Sequence, residues 1–368
     1  ELRRTLVSFQ ANKHEPGFRW FKYKEGVSSA LVDYVLDRCK VTKGEIIDPF
    51  AGSGATLFVA SRRGLNSTGI ELLPIGCEII KARREAISHR SEVISALKKW
   101  KASNHWIESK QQGISFPHLA ITNGAFPRSS EELLGKYLRA VSNLKQQSVR
   151  TVLRAAALAV LEEISFTRKD GQYLRWDYRS GRRQGEKPFN KGTIKDFDVA
   201  IQEKLGQFIE DLSGSPTLLD FAPTSRQGKI RTICGSCLEQ LPKLQANSFD
   251  ALMTSPPYCN RYDYTRTYAL ELALLGVKED ALRIFRQRMV SCTVENREKE
   301  GLDAFFSSKT FEKAKAIFQS QELLKYIVDY LEALKEEGQL NNNGIPRMVK
   351  NYFWELTLTL IECWRILK

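Results

Sequence analysis

Short apolar runs and longer runs with helical spacing alternate along this chain. The runs at 45–48, 67–71 and 249–253 predict buried parallel strands, because a strand covered on both faces shows no apolar–polar alternation. Residues 45–90 follow the pattern strand, helix, strand, helix, which is typical of the opening of a doubly wound α/β sheet. The chain returns to the sheet at 229–258, so we expect one α/β unit interrupted by insertions.

Helical spacing of apolar residues predicts most of the remaining elements. Residues 104–128 hold Gly, Pro and Asn and are predicted as loops. The sequence shows no internal repeat and no low-complexity tract. The predicted helices cover 29–39, 74 to about 100, 130–144, 148–165, 265–275, 279–290, 310–319, 321–336 and 346–367.

The amino-acid composition indicates the class of partner and the cellular compartment. The 368 residues are 42% hydrophobic, and 56 basic against 43 acidic side chains give a net charge of +13, which favours a polyanionic partner. Seven cysteines, an odd number, predict free thiols in a reducing compartment. Cys234 and Cys237 form a Cys-x-x-Cys motif with no second motif of that kind, so packing at the end of a strand is favoured over a zinc site. No apolar run reaches membrane-spanning length.

The most informative chemistry follows the apolar run at 249–253. There the chain reads Thr-Ser-Pro-Pro-Tyr, ending at Tyr258. Pro256 has no N–H and restrains the carbonyls beside it. A carbonyl and the hydroxyl of Ser255 can then accept hydrogen bonds from one exocyclic amino group, while Tyr258 stacks on the base that carries it. The alternative is a plain Pro-Pro turn after a strand.

A glycine turn follows the first strand. Residues 48–56 read Asp-Pro-Phe-Ala-Gly-Ser-Gly-Ala-Thr, and such a turn lets a ligand approach the backbone and the helix N–H groups. It is neither a phosphate P-loop nor the GxGxxG dinucleotide fingerprint. Glu71 ends the second strand, where an acid commonly binds ribose hydroxyls in doubly wound folds.

Together the two motifs resemble the amino-methylating DNA methyltransferases, which use S-adenosylmethionine (SAM). The resemblance covers about 14–90 and 229–276 and the last helix. It implies a SAM-methyltransferase (Rossmann-like) doubly wound sheet with helical insertions, truncated at its C-terminal strands. The Ser-Pro-Pro-Tyr spelling is more typical of cytosine-N4 enzymes, whereas adenine-N6 enzymes more often have Asp or Asn first.

The resemblance also implies site residues. Tyr23 is included because 17–28 resembles the family segment over the methionine end of SAM, although a surface turn with aromatic core anchors explains that segment equally well. The implied catalytic residues are Ser255, Pro256, Pro257 and Tyr258. The implied cofactor residues are Asp48, Phe50, Gly52, Ser53, Gly54, Thr56, Glu71, Ser236 and Tyr23.

The chain departs from the family pattern in three places. Ser236 stands where the family usually has an Asp that contacts the SAM adenine. The order of SAM loop, long insertion, third strand of the main sheet and Ser-Pro-Pro-Tyr tetrad (255–258) fits none of the family's named permutations. The sequence stops after the helix that follows strand four, where the family has three more strands. We therefore expect a further C-terminal segment or a second polypeptide to complete the sheet.

The function implied is methyl transfer from SAM to the exocyclic amine of a base flipped out of double-stranded DNA, with S-adenosylhomocysteine as product. No metal and no cysteine nucleophile are expected. Cytosine N4 is the preferred target. Adenine N6, an RNA amino group and a non-catalytic DNA-binding subunit stay open as alternatives. The resemblance also implies a cytoplasmic, DNA-associated prokaryotic protein, with a cognate restriction enzyme as a further candidate partner.

The insertions divide the chain into five predicted regions. Residues 1–100 form the SAM-binding half, 101–228 a basic helical insertion for target recognition, 229–276 the catalytic half, 277–345 a second helical insertion, and 346–368 a catalytic-domain helix. The two insertions could exchange roles.

Two segments are candidates for nucleic-acid contact. The tract 166–195 is basic, aromatic and glycine-rich, so it is predicted as a DNA-binding loop, or else as a solvated surface loop. After the tetrad, Arg261 and Arg266 could bind phosphates, and Tyr262 and Tyr264 could line the base pocket. Alternatively Asp263 pairs with Arg266 and caps a helix. The candidates in the tract are Arg175, Trp176, Arg179, Arg182 and Arg183.

Overall fold

The computed structural model describes residues 9–24, 26–170, 173–214 and 227–368. Glu25, inside the aromatic segment 17–28, and the end of the first insertion at 215–226 lie outside the described residues. Six strands are assigned among the described residues: β1 Glu45–Asp48, β2 Asn66–Glu71, β3 Thr167–Asp170, β4 Tyr173–Trp176, β5 Ile230–Cys234 and β6 Ala251–Leu252.

Four of these strands form a parallel sheet in the order β5-β2-β1-β6. β1 pairs with β2 on one side and with β6 on the other, with Ile46 opposite Ala251. β5 extends the sheet beyond β2, with Cys234 opposite Glu71. The strand order reverses between β1 and β6, and the crevice outside the strand ends at such a point is where open α/β sheets bind ligands. The α/β class and the parallel sheet expected from the sequence are confirmed.

Consecutive residues of β1 point to opposite faces of the sheet and enter two different cores. Ile46 packs into a smaller cluster with Val32, Leu57 and Phe58 from the flanking helices. Ile47 belongs to the larger cluster, which also holds the apolar side of the first insertion. Both isoleucines are fully buried, so both faces of the sheet are covered and the near-continuous apolar strands are explained.

Fourteen α-helices are assigned in the described part of the chain. α14 carries the chain back to the sheet, where Leu367 makes an isolated parallel bridge to Phe249. The expectation of further strands beyond it stays a prediction. The helices are α1 Ser29–Arg38, α2 Ala55–Arg62, α3 Pro74–Ser88, α4 Arg90–Ser103, α5 Arg128–Ser142, α6 Gln147–Ile164, α7 Phe197–Ser213, α8 Cys237–Gln240, α9 Tyr264–Thr267, α10 Ala269–Leu274, α11 Glu279–Arg288, α12 Ser308–Gln319, α13 Glu322–Glu336 and α14 Ile345–Ile366.

Four local predictions were wrong. The helix expected over 265–275 is two short helices, α9 and α10, because the backbone leaves helical geometry at Tyr268 (φ −103°, ψ 23°). The helix expected from residue 74 to about 100 is two helices, because the backbone leaves helical geometry at His89 (φ −120°, ψ 36°). α7 was not predicted, although Phe197, Ile201 and Leu205 give it a buried stripe. The tract 166–195 is not only loop, since β3 and β4 pair as an antiparallel hairpin at its start.

The cysteines depart in part from the expectation of free thiols. Cys77 of α3 and Cys234 of β5 form a disulfide, with 6.3 Å between their Cα atoms. Five cysteines are free, and Cys237 is one of the buried ones. Separately, none of the helices in the described ranges is long and apolar enough to cross a membrane.

Candidate active site

A cleft lies at the carboxyl ends of β1, β2, β5 and β6, and the space in it is about 800 Å³ including open solvent. Residues from both sequence motifs line this one cleft, although they are some 200 positions apart in the chain. Gly54, Thr56, Pro256 and Tyr258 do not line it. The predicted site residues that do are Tyr23, Asp48, Phe50, Gly52, Ser53, Glu71, Ser236, Ser255 and Pro257.

The glycine turn forms the floor of the cleft. Gly52 has φ 54°, a left-handed conformation that favours glycine, and a Cβ there would lie 3.0 Å from the ring of Tyr23. Tyr23 in turn stacks on Tyr268, with ring centroids 5.0 Å apart. Gly54 (φ 86°) caps α2, and Thr56 is fully buried in the first turn of that helix. These two residues therefore shape the turn from below.

Glu71 places a carboxylate against the turn. Its two oxygens accept hydrogen bonds from the backbone N–H groups of Gly52 and Leu73, both at 2.7 Å. Burial raises the pKa of Glu71 to about 7, while these two N–H donors oppose the rise. The group is 7% exposed and lines the cleft, so it can also accept hydrogen bonds from a ligand.

Asp48 and Thr254 join the two motifs. The Thr254 hydroxyl donates to Asp48 Oδ1 at 2.6 Å, and the same oxygen accepts from the N–H of Phe50 at 3.1 Å. Asp48 is 2% exposed, and burial raises its pKa. The carboxylate thus ties the loop after β6 to the loop after β1.

The Ser-Pro-Pro-Tyr segment runs along the open side of the cleft. Ser255 and Pro257 face the cleft, while Tyr258 is 40% exposed beside it. The hydroxyl of Tyr352 on α14 donates to the carbonyl of Pro257 at 2.7 Å. Sequence reasoning missed Tyr352, because nothing in the pattern of α14 marks one tyrosine as a loop anchor.

Ser236 lies in the cleft wall, but its hydroxyl is already engaged. It donates to the carbonyl of Arg288 at 2.7 Å, so Arg288, Met289 and Val290 form the facing wall. The Arg288 guanidinium makes two hydrogen bonds to Glu239, at 2.7 and 2.6 Å. This wall comes from the second insertion, 52 residues from Ser236, and no sequence signal indicated it.

A buried arginine supports the glycine turn from behind. Arg83 of α3 is 2% exposed and donates to the carbonyls of Ser53 (2.9 Å) and Phe18 (3.1 Å). Its guanidinium lies between the rings of Phe18 and Phe58, 5.1 and 5.5 Å from their centroids. Burial lowers the pKa of Arg83 to about 9, so it stays mostly charged at neutral pH.

The segment after the tetrad shows the helix cap and the Asp263–Arg266 pair of the second interpretation, and the nucleic-acid contacts of the first stay a prediction. Asp263 accepts hydrogen bonds from the N–H groups of Thr265 and Arg266 and caps α9. Arg266 forms ion pairs with Asp263 (3.3 Å) and Glu295 (2.9 Å). Tyr262 is 3% exposed. Arg261 Nη1 donates to the side chain of Asn341 at 3.0 Å. Tyr262 is thus buried, whereas the Arg266 side chain stays 39% exposed while it pairs with the two carboxylates.

Three arginines of the tract 166–195 also have internal partners. Arg175 lies 4.1 Å from the ring centroid of Phe189. Arg179 makes two hydrogen bonds to Asp177, at 2.7 and 2.9 Å, and they lower the pKa of that carboxyl. Arg182 lies 3.6 Å from the Trp176 ring centroid and donates to a backbone carbonyl at 2.7 Å. Arg183 is exposed.

The hairpin of this tract reaches the site through a buried ion pair. Lys169 of β3 pairs with Glu271 of α10, and both are almost fully buried. The Lys169 ammonium lies 4.8 Å from the ring centroid of Tyr268, the residue that stacks on Tyr23. The first insertion therefore packs against the side of the cleft that Tyr23 and the glycine turn form.

Comparison with known proteins completes the description. Over 371 aligned residues the chain is 46% identical to the Type II methyltransferase M.AvaI of Nostoc sp., covering 100% of this chain and 75% of that protein. It is 38% identical to the Type II methyltransferase M.BsoBI of Geobacillus stearothermophilus, again covering 100% of this chain and 75% of the relative. A shorter match, 38% identical over 78 residues, joins 21% of the chain to 14% of the Type II methyltransferase M.MjaII of Methanocaldococcus jannaschii. No protein-family model and no solved structure matches.

Proposed function

The chain belongs to the Type II methyltransferases, and on that premise we infer that it methylates the exocyclic amino group of a base in double-stranded DNA, with cytosine N4 as the target. The observation that carries this inference is the shared cleft, which the glycine turn, Glu71 and Ser255 line together. A methyl donor held by the first two would lie in the same cavity as the hydroxyl that receives the amine.

The residues of the cleft fit SAM. Glu71 offers a buried carboxylate for ribose hydroxyls, and Gly52 leaves room that a Cβ would fill against Tyr23. The apolar side chains of Leu72 and Met289 suit the flat face of an adenine. When bound, SAM supplies a methyl group that its sulfonium already activates, so the protein's task is to position the partners.

The catalytic segment is arranged to hold an amine. The Ser255 hydroxyl and a loop carbonyl can accept hydrogen bonds from the two N–H groups of the amine. This favours a more tetrahedral nitrogen whose lone pair is directed at the methyl group of SAM. The exposed ring of Tyr258 can stack on the flipped base. Tyr352 holds the Pro257 carbonyl and so limits the movement of this segment.

The first test is tritium transfer from labelled SAM to unmethylated bacterial DNA, followed by mass spectrometry of the nucleosides. N4-methylcytosine that disappears in Ser255→Ala and Tyr258→Ala supports the proposal. N6-methyladenine keeps the mechanism and changes the base. Transfer to RNA alone, or no SAM binding at all, would replace it by an RNA methyltransferase or a DNA-binding subunit. A modification role opposite a cognate restriction enzyme belongs to the same proposal.

A further inference from the structure

A second cleft, distinct from the cofactor cleft, lies on the second insertion and the start of α14. Four of its six lining residues are arginines, and the space inside it is about 1110 Å³ including open solvent. We refer to it as the arginine cleft. Its lining residues are Arg283, Arg286, Gln287, Glu295, Arg297 and Arg347.

Most of the positive charge in the arginine cleft is not neutralised. Arg286 pairs with the buried Asp263 at 3.1 Å. Among the described residues Arg283 pairs only with Asp280, at 4.0 Å with both side chains at least 75% exposed, and such a contact contributes little in water. Arg297 and Arg347 are exposed, and neither forms an ion pair within the described ranges. Arg347 donates to one backbone carbonyl at 3.0 Å.

The arginine cleft adjoins the catalytic segment from two directions. Arg286 donates to the hydroxyl of Thr265 at 3.0 Å, and the preceding residue, Tyr264, lines the cofactor cleft. Arg347 opens α14, the helix whose Tyr352 holds the Pro257 carbonyl. A duplex delivering a base to the cofactor cleft would therefore bring its backbone close to these guanidinium groups.

We propose that the arginine cleft binds backbone phosphates of the DNA beside the flipped base, with Arg297 and Arg347 as the main contacts. This rests on the proposed function. Guanidinium groups match the geometry of phosphate oxygens and remain charged at every relevant pH. Phosphate contacts fix the position of a duplex without reading its sequence. The second insertion thus holds the strand, and Arg266, locked to Asp263 and Glu295, is a support for the cleft rather than a phosphate ligand.

The test is a titration of a fluorescent duplex of random sequence by anisotropy, at salt concentrations from about 50 to 200 mM. In Arg297→Ala/Arg347→Ala, affinity at about 0.1 M salt should fall roughly tenfold for each lost contact. The slope of log K against log salt should become less steep by about 0.9 per contact. The loss should be equal for duplexes of different sequence.

A matched variant controls for the charge itself. Lys98→Ala/Lys99→Ala also removes two exposed positive charges, from α4, which packs on α6 and α7. It should leave the salt slope unchanged, and SAM binding should be the same in both variants. If the wild-type protein binds DNA and the arginine variant shows the same slope of log K against log salt, the proposal that the arginine cleft binds phosphates is overturned, but the proposed function is not. Wild-type protein that binds SAM but no DNA overturns the proposed function as well.

Discussion

Thr254 donates a 2.6 Å hydrogen bond to Asp48 across the point where the strand order of the sheet reverses. The two residues are 206 positions apart. Asp48 is the last residue of β1, and Thr254 lies in the loop that follows β6. The bond therefore sets the distance between the turn proposed to hold the donor and the segment proposed to hold the acceptor. In a reaction that depends on positioning, this distance is a catalytic parameter.

Replacing Thr254 with valine should weaken both stability and activity. The substitution keeps the shape but leaves a buried carboxylate oxygen with one donor fewer, which costs about 1–3 kcal/mol. Urea denaturation measures the free energy of unfolding, and single-turnover methyl transfer measures the rate. Thr254→Ser keeps the hydroxyl and should stay close to wild type. Equal losses in the serine and valine variants would contradict a role for the hydrogen bond.

SAM affinity should depend on pH through Glu71. Its pKa of about 7 means that the carboxyl becomes protonated as the pH falls below neutrality, and a protonated group accepts fewer hydrogen bonds from a ribose. Between pH 8 and pH 6 the dissociation constant should therefore rise by about tenfold. Calorimetry at three pH values measures it.

The matched variant for this dependence is Glu71→Gln, which cannot ionise. It should bind SAM weakly at every pH, with a flat profile over the same range. A pH dependence that survives in Glu71→Gln would assign the effect to another group.

Because the raised pKa favours the protonated form of the folded protein, the contribution of Glu71 to the free energy of unfolding is fully present below pH ~4.5 and is lost as the pH rises through ~7.

Tyr352→Phe should lower kcat with little change in the KM for SAM. The variant loses only the hydroxyl that holds the Pro257 carbonyl, a hydrogen bond worth about 1 kcal/mol or roughly fivefold in rate. Steady-state kinetics with saturating DNA separates the two parameters. Leu360→Ala, a substitution at an exposed position of the same helix, serves as the control. A rise in KM without a fall in kcat would place Tyr352 in cofactor binding instead.

The contiguous motifs were predictable from the sequence because local chemistry determines them. Gly52 and Gly54 need φ values that other residues rarely adopt, and an apolar run before Ser255 indicates a strand end. The contacts of Tyr352 and Arg288 could not be predicted, since each depends on tertiary packing between residues 50 to 100 positions apart. The break at His89 has no glycine or proline to announce it. The tract 166–195 was predicted as a loop because it is rich in glycine, and its two strands of only four residues each are too short to give a clear alternating pattern.

Ser236→Asp should weaken SAM binding, even though the family that this chain resembles usually has aspartate at that position. In this chain the Ser236 hydroxyl donates to the Arg288 carbonyl. An ionised aspartate cannot donate, so its carboxylate would face that carbonyl oxygen at a buried position, and repulsion would open the wall formed by Arg288, Met289 and Val290. Ser236→Ala loses the same hydrogen bond without adding charge and separates the two effects. We expect SAM affinity to fall in the order wild type, Ser236→Ala, Ser236→Asp when measured by calorimetry. Tighter binding by Ser236→Asp would mean that the wall moves away and that position 236 contacts the adenine as it does in the family pattern.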